Sequence, residues 1–169
     1  MKVPSVVLGV CVFLLIGSLS VAGKVRIDFD HRANFSKYRT FMWAKEPETA
    51  DPFMKERIIN AINSQLRLRG LESDTSHADL AIVANTSTQE VQTVNTYYSG
   101  SDWGGGGWAT TTVDTSLEGT LVVDLIDART NKPIWRGITT HTISDKPQKA
   151  TNKLQKEIQK MFESFPPLR

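Results

Sequence analysis

The segment that most constrains this chain is 117–137, LEGTLVVDLIDARTNKPIWRG, which predicts two β-strands joined by a short polar turn. Successive side chains of a strand point to opposite faces of its sheet. One face of the first strand is apolar apart from a glycine, and its residues are Leu117, Gly119, Leu121, Val123 and Leu125. We therefore expect this face to pack on a hydrophobic core and the opposite, mixed face to be partly solvated.

The turn of this hairpin spans 127–133, DARTNKP, and the second strand continues from Ile134 to about Ile143. Trp135 and Arg136, near the start of that strand, admit two interpretations. They could clamp a ligand, or they could be a Trp at the edge of the core beside a solvent-facing Arg. We favour the second interpretation because large aromatic side chains mainly serve packing.

Three stretches of the sequence carry a resemblance to a known family. They are GTLVVD at 119–124 followed by IWRG at 134–137, FSKYRTFMW at 35–43, and ADLAIV at 78–83. Together they resemble the domain-of-unknown-function 4136 family of bacterial envelope proteins over about Val25 to Phe162. The resemblance implies a small α+β envelope domain without an established activity, and it transfers no catalytic residue.

The amino terminus is typical of a secretory signal peptide. Lys2 precedes an apolar run at 6–16, and the small-residue site Ser20-Val21-Ala22 follows. We expect cleavage after Ala22, which leaves a single α+β domain at 23–169 in the periplasm or outside the cell. A retained membrane anchor is the alternative, but the apolar run is short for a span of about 20 residues.

Cys11 is the single cysteine of the chain. It could be a lipid attachment site, or it could be one apolar residue inside the signal core, which we favour because strongly apolar residues continue after it. A chain cleaved after Ala22 has no cysteine, so we expect no lipid anchor, no disulfide and no thiolate metal site. Many members of the resembled family are lipoproteins, so the sequence departs from the commoner pattern here.

The charge balance gives no electrostatic reason to expect a nucleic-acid partner. The formal net charge of the chain is +2, and removal of Lys2 with the signal lowers it to +1. Binding to nucleic acid depends on a basic surface, which a near-neutral domain does not provide. We expect the partner to be another component of the envelope, whether protein, glycan or lipid surface, and we expect no membrane span after signal cleavage.

Two amphipathic helices are predicted. The first begins at Asp51-Pro52, an N-cap followed by a favoured first residue, and Gly70 suits its carboxyl end. The second is capped by Asp145, with Pro147 in its first turn. Its apolar stripe contains Ala150, Leu154, Ile158, Met161, Phe162 and Phe165, and its outer face contains Lys149, Lys153, Lys156, Glu157 and Lys160.

Shorter strands are expected at 24–30, at 40–44 and at 78–85. The element order is then β-β-α-β-β-β-α. We predict an α+β fold in which an antiparallel sheet of about five strands carries both helices on one face.

Residues 86–113 predict an extended, solvated hairpin, because threonine favours strands and the glycine run 104–107 favours a flexible tip. Four aromatic residues lie in the tip: Tyr97, Tyr98, Trp103 and Trp108. We predict that they form a binding site, since exposed Trp and Tyr are unusual without a partner. A low-complexity loop without a ligand is the alternative.

The sequence contains no G-x-S-x-G elbow, no H-E-x-x-H and no dinucleotide-binding glycine fingerprint. We therefore predict a non-enzymatic binding or assembly module with no cofactor, no metal and no catalytic residue. Two other hypotheses stay open: a structural subunit that assembles through sheet edges, and a hydrolase. The hydrolase would use His77 or His141 with Asp79 or Asp124. A zinc site would require folding to gather all three histidines, His31 included.

Overall fold

The computed structural model describes residues 24–101, 105–163 and 165. The predicted signal peptide at 1–22 and Trp103 fall outside these residues. Within them the chain forms, in order, β1 (Lys24–Phe29), a 3-10 helix (Phe35–Lys37), β2 (Thr40–Lys45), α1 (Pro52–Leu68), β3 (Glu72–Ser73), β4 (Leu80–Ser101), β5 (Gly105–Asp127), β6 (Lys132–Thr142) and α2 (Pro147–Glu163).

All the strands belong to one mixed sheet with the order β1-β6-β5-β4-β2-β3. The pairs β1/β6, β6/β5 and β5/β4 are antiparallel. β2 runs parallel to β4 on one side and to β3 on the other. The prediction of an antiparallel sheet of about five strands is therefore wrong: the sheet has six strands in the described residues and is mixed.

The parallel pairing follows from the position of α1 in the chain. Parallel neighbours need a long crossover connection, usually a helix, and α1 lies between β2 and β4, so that Phe41 of β2 pairs with Leu80 of β4. β3 has only two residues, Glu72 and Ser73, which is too short for a side-chain alternation to reveal it. The parallel pairing and the short strand β3, which the sequence did not predict, both depend on the connection that contains and follows α1.

The central hairpin forms as its alternation predicts. β5 and β6 pair with Leu121 opposite Thr139 and Leu125 opposite Trp135. Leu121 and Leu125 are buried in the core. Leu117 lies beyond the end of β6 and is 50% exposed, so the apolar face of β5 is covered only where β6 and the helices accompany it.

Both helix starts contain proline, and both helices bury one apolar stripe. The Asp51 carboxylate accepts a hydrogen bond of 2.9 Å from the Phe53 amide, and Gly70 adopts φ +80° just after α1. Residues of α1 (Ile58, Ile62, Leu66) and α2 (Leu154, Ile158, Met161, Phe162) share one core with those of β4 and β5. The helices therefore cover the sheet face that carries Leu80, Ile82 and Ala84.

An aromatic stack fixes α2 against the sheet. The rings of Trp135 and Phe162 are nearly parallel, with centroids 4.9 Å apart, and Phe165 meets Trp135 edge-on at 5.7 Å. Trp135 is 1% exposed, whereas the Arg136 side chain is 55% exposed. The interpretation of this pair as a packing Trp beside a solvent-facing Arg is confirmed, although Trp135 lies inside the core and not at its edge.

Gly137 allows this close approach of α2. A Cβ atom at Gly137 would collide with the Met161 side chain and would lie 2.6 Å from Cη2 of Trp135. Both neighbours are almost fully buried, so neither can move aside freely. At Gly119, in the adjacent strand, the nearest atom would be Ile143 Cγ1 at 3.3 Å.

Among the described residues, the Asp127 carboxylate accepts the largest number of hydrogen bonds. It is 4% exposed, and its oxygens accept hydrogen bonds from the Tyr38 hydroxyl and Lys37 Nζ, each at 2.8 Å. The amides of Arg129 and Thr130 also donate to it, at 3.0 and 2.9 Å. The Lys37 hydrogen bond is the largest cause that lowers the pKa of Asp127, and the Tyr38 and Thr130 bonds add to it against the opposing effect of burial.

We predict that Gly137→Ala lowers the free energy of unfolding by about 1–3 kcal/mol, because it overpacks a rigid region of the core. Urea denaturation monitored by tryptophan fluorescence measures the change. Gly119→Ala is the matched control, and its effect should stay below about 1 kcal/mol. Equal losses in the two variants would contradict the role assigned to Gly137.

Asp127 predicts a pH dependence of stability. Its pKa is lower in the folded state than the ordinary value of 3.8, so its contribution is present above that value and is lost as the pH falls towards the folded pKa. Asp127→Asn should therefore cost roughly 2 kcal/mol at pH 6 and distinctly less near pH 3. Urea titrations at both pH values test this. Asp114→Asn, at an exposed carboxylate, should show no such convergence with the wild type.

Candidate functional site

β4 and β5 continue far beyond the rest of the sheet. The last β5/β6 pair is Glu118 with Thr142, and β2 accompanies β4 only to Val83. The pairing of β4 with β5 nevertheless continues to Ser101 opposite Gly105. Residues 89–101 and 105–117 thus form a two-stranded segment, called the ribbon below, that is about 40 Å long at 3.3 Å per residue.

Cross-strand polar contacts hold the two strands of the ribbon in register. Asn95 Nδ2 donates to Asp114 Oδ2 at 3.0 Å, and the hydroxyl oxygens of Thr96 and Thr111 lie 3.2 Å apart. Threonine and asparagine side chains occupy positions where a sheet with a core face would carry apolar residues. The ribbon is therefore held by pairing between its own strands, without packing against the helices.

The aromatic residues of the predicted tip site are exposed where the structure describes them. Tyr97, Tyr98 and Trp108 are 65%, 83% and 81% exposed. Ser99 pairs with Trp108 and Tyr97 with Thr110, so Tyr97 and Trp108 are diagonal neighbours on one face, whereas Tyr98 lies on the other. The fourth predicted residue, Trp103, lies outside the described residues.

The face of the ribbon opposite Tyr97 and Trp108 also exposes apolar side chains. Val94 pairs directly with Val113, and the two are 63% and 57% exposed. Leu117 continues this face towards the domain. A long segment with apolar groups on both faces and no core beneath them is unusual for a chain that functions alone.

The histidines and aspartates proposed for a hydrolase form no hydrogen bond or ion pair with one another among the described residues. The Asp79 carboxylate accepts hydrogen bonds from the amides of Arg39 at 2.7 Å and Thr40 at 3.1 Å, which tie β2 to β4. Asp124 is held by Arg136 through two bonds of 2.6 and 2.9 Å, and this pairing raises the pKa of Arg136. These carboxylates have structural partners.

Asp124 and His141 are also separated by the sheet itself. Gly119 pairs with His141, and Asp124 lies five residues further along β5, on the opposite face. Five residues correspond to about 17 Å along a strand. His77 lies in the exposed loop before β4, where its amide donates to Asp74.

A histidine–carboxylate contact that the sequence did not predict lies beneath α2. His141 Nδ1 is 2.7 Å from Glu157 Oε2, and the Thr139 hydroxyl donates to the same oxygen at 3.1 Å. Glu157 is 5% exposed, so its assignment to the outer face of α2 is wrong. It follows Leu154 by three residues, and this helical spacing places it on the buried stripe despite its charge.

His141 also lines a cavity of about 490 Å³ between the amino-terminal turns of α1 and α2 and the sheet. The described residues contain no group of three His, Cys, Asp or Glu side chains that could hold a metal ion. In the same part of the chain, no helix is long and apolar enough to cross a membrane. The molecule therefore presents two candidate sites, the exposed ribbon and this cavity.

Comparison with known families identifies the class of protein to which this fold belongs. The sequence profile of the family described as Domain of unknown function (DUF4136) matches residues 25–167. The chain belongs to this family, which confirms the resemblance seen in the sequence. No curated protein matches it significantly.

Solved structures share the fold at low sequence identity. A DUF4136 family protein from Bacteroides thetaiotaomicron is 16% identical with a TM-score of 0.56, and the match covers 85% of this chain and 96% of that one. A PDZ domain protein from Parabacteroides distasonis is 13% identical with a TM-score of 0.55 over 86% of this chain. The chain spans only 36% of that protein's length. These similarities show the fold alone.

We predict that the ribbon contributes little to the stability of the domain, because no described helix packs on it. Replacing residues 91–116 by an Asn-Gly turn should change the free energy of unfolding by less than about 1 kcal/mol. Chemical denaturation with far-ultraviolet circular dichroism measures this. A loss of several kcal/mol would show that the ribbon supports the core.

Proposed function

We propose that this protein is an exported, non-enzymatic envelope component that binds its partner through the outer end of the ribbon. The observation that carries the proposal is the exposure of Tyr97, Tyr98 and Trp108 on a segment that projects beyond the core. Tyrosine and tryptophan combine a large apolar surface with a polar group, which suits contact with glycans, lipid headgroups and protein surfaces. The signal-like start of the sequence supports export.

The non-enzymatic part of the proposal rests on how the carboxylates are used. Asp79 and Asp124 are engaged by backbone amides and by Arg136, so neither is free to orient a histidine. The described end of the ribbon presents tyrosine and tryptophan side chains, which suit contact with a partner surface. The chemistry of the exposed end of the ribbon is therefore suited to binding.

A second candidate function is self-assembly through strand edges. In the described chain the ribbon strands pair only with each other along 89–101 and 105–116, so their outer edges present free amide and carbonyl groups. At the base of the ribbon, the Ile143 amide donates to the Leu117 carbonyl at 2.7 Å. Such edges can add a strand from another chain. Light scattering over a range of protein concentrations tests this candidate, and a monomer throughout would exclude it.

The binding proposal predicts that Tyr97→Ser/Trp108→Ser loses contact with an envelope surface. Co-sedimentation with purified peptidoglycan sacculi and with phosphatidylethanolamine/phosphatidylglycerol vesicles measures binding and identifies the kind of partner. We expect at least a tenfold loss, since two aromatic contacts of about 1 kcal/mol each are removed. Adding Tyr98→Ser and Trp103→Ser tests the remaining predicted residues.

The matched control is Val94→Ser/Val113→Ser, which removes an exposed pair from the opposite face of the same ribbon. It should retain binding if the face with Tyr97 and Trp108 makes the contact. Equal losses in both double variants would indicate a general effect of ribbon hydrophobicity. Unchanged sedimentation of the fully substituted but folded variant would refute the proposal.

A further inference from the structure

The cavity beside His141 has the properties of a small-molecule binding site. The function proposed for the ribbon does not involve this cavity. Its volume of about 490 Å³ lies within the range of sites that bind ligands of drug size. Residues of both helices and of β4, β5 and β6 line it, so the rigid part of the domain shapes it.

The lining is mainly apolar, and its apolar groups come from three directions. Met54 and Ile58 belong to α1, Leu154 belongs to α2, and Leu121 belongs to β5. Ile58, Leu154 and Leu121 are also part of the hydrophobic core, so the cavity is continuous with the core surface. A hydrocarbon group placed here would leave water for an apolar environment, which is favourable in proportion to the area buried.

His141 is the imidazole among the polar groups of the lining, which also include Glu48, Asp51, Arg57 and Asp145. Its Nδ1 lies against Glu157, which does not line the cavity. Its Nε2 lies on the other side, 3.8 Å from the position that a Cβ atom of Gly119 would occupy, and Gly119 does line the cavity. The imidazole is 15% exposed, so a ligand would meet it with little competing water.

We propose that this cavity binds a single-chain amphiphile, a hydrocarbon chain ending in a hydroxyl or carboxyl oxygen, with that oxygen at His141 Nε2. Nδ1 lies 2.7 Å from the Glu157 carboxylate, so Nε2 is the ring nitrogen that can meet the oxygen of a ligand. An imidazole nitrogen can exchange a hydrogen bond with a hydroxyl or with a carboxyl group. The chain lies along Met54, Ile58 and Leu154.

The proposal can be tested by isothermal titration calorimetry on the protein purified from cells. The probes are dodecanoate and dodecan-1-ol, each used below its aggregation concentration. We expect saturable one-to-one binding of at least one of them, and the comparison decides whether the head is charged. Dodecyltrimethylammonium has the same chain length but no hydrogen-bonding head, so it should bind at least tenfold more weakly. Equally tight binding of this cation would overturn the role of His141.

Two substitutions in α2 locate the site. Ala150→Phe places a ring in the cavity and should abolish binding, whereas Gln148→Phe, on an exposed position outside the lining, should not. Undiminished binding in folded Ala150→Phe, or no binding of either probe to the wild type, would overturn the proposal. Tyr97→Ser/Trp108→Ser should bind the probes normally, which separates this site from the ribbon.

The imidazole ring of His141 gives a direct measurement of ligand binding at this site. In nuclear magnetic resonance spectra, the Hε1 signal of His141 should shift on addition of the bound probe, while that of exposed His77 should not. His141→Leu combined with Glu157→Gln removes the anchor without leaving a buried unpaired carboxylate, and it should weaken binding about tenfold, as expected for one hydrogen bond. A full-strength complex in this double variant would overturn the assignment of the anchor.

Discussion

The contact between α2 and β6 at Gly137 is the constraint on which the rest of the domain depends. Because this position has no side chain, Met161 and the Trp135 ring can occupy the space above the strand, and Phe162 can stack on the same ring. The position of α2 then brings Glu157 under His141 and sets one wall of the cavity. A single missing methyl group thus determines both a core contact and the geometry of a candidate site.

The sequence predicted the elements that have strong periodicity or clear end signals. The central hairpin follows from the alternation of Leu121, Val123 and Leu125, and α1 from Asp51, Pro52 and Gly70. It did not reveal that β2 and β4 are parallel, because strand direction depends on the crossover through α1 and leaves no mark on side-chain alternation. If α1 is taken as a crossover connection, it predicts that β2 and β4 are parallel.

The two candidate sites also differ in how far the sequence could predict them. Exposure of Tyr97, Tyr98 and Trp108 could be predicted locally, because polar and glycine-rich neighbours offer them no core. The cavity could not, since its walls come from five separate elements of the chain. The contact of His141 with Glu157 was missed because charge was given more weight than helical spacing, although the position three residues after Leu154 was available as a signal.

The pairing of β1 with β6 has a consequence for how the chain can fold during synthesis. Lys24 lies opposite Thr140, so the first strand of the described residues has its partner in the last one. Contacts between residues so distant in sequence form late, since a long loop must close first. β1 therefore has no partner strand until β6 has been synthesised, and the sheet cannot be completed on that side before then.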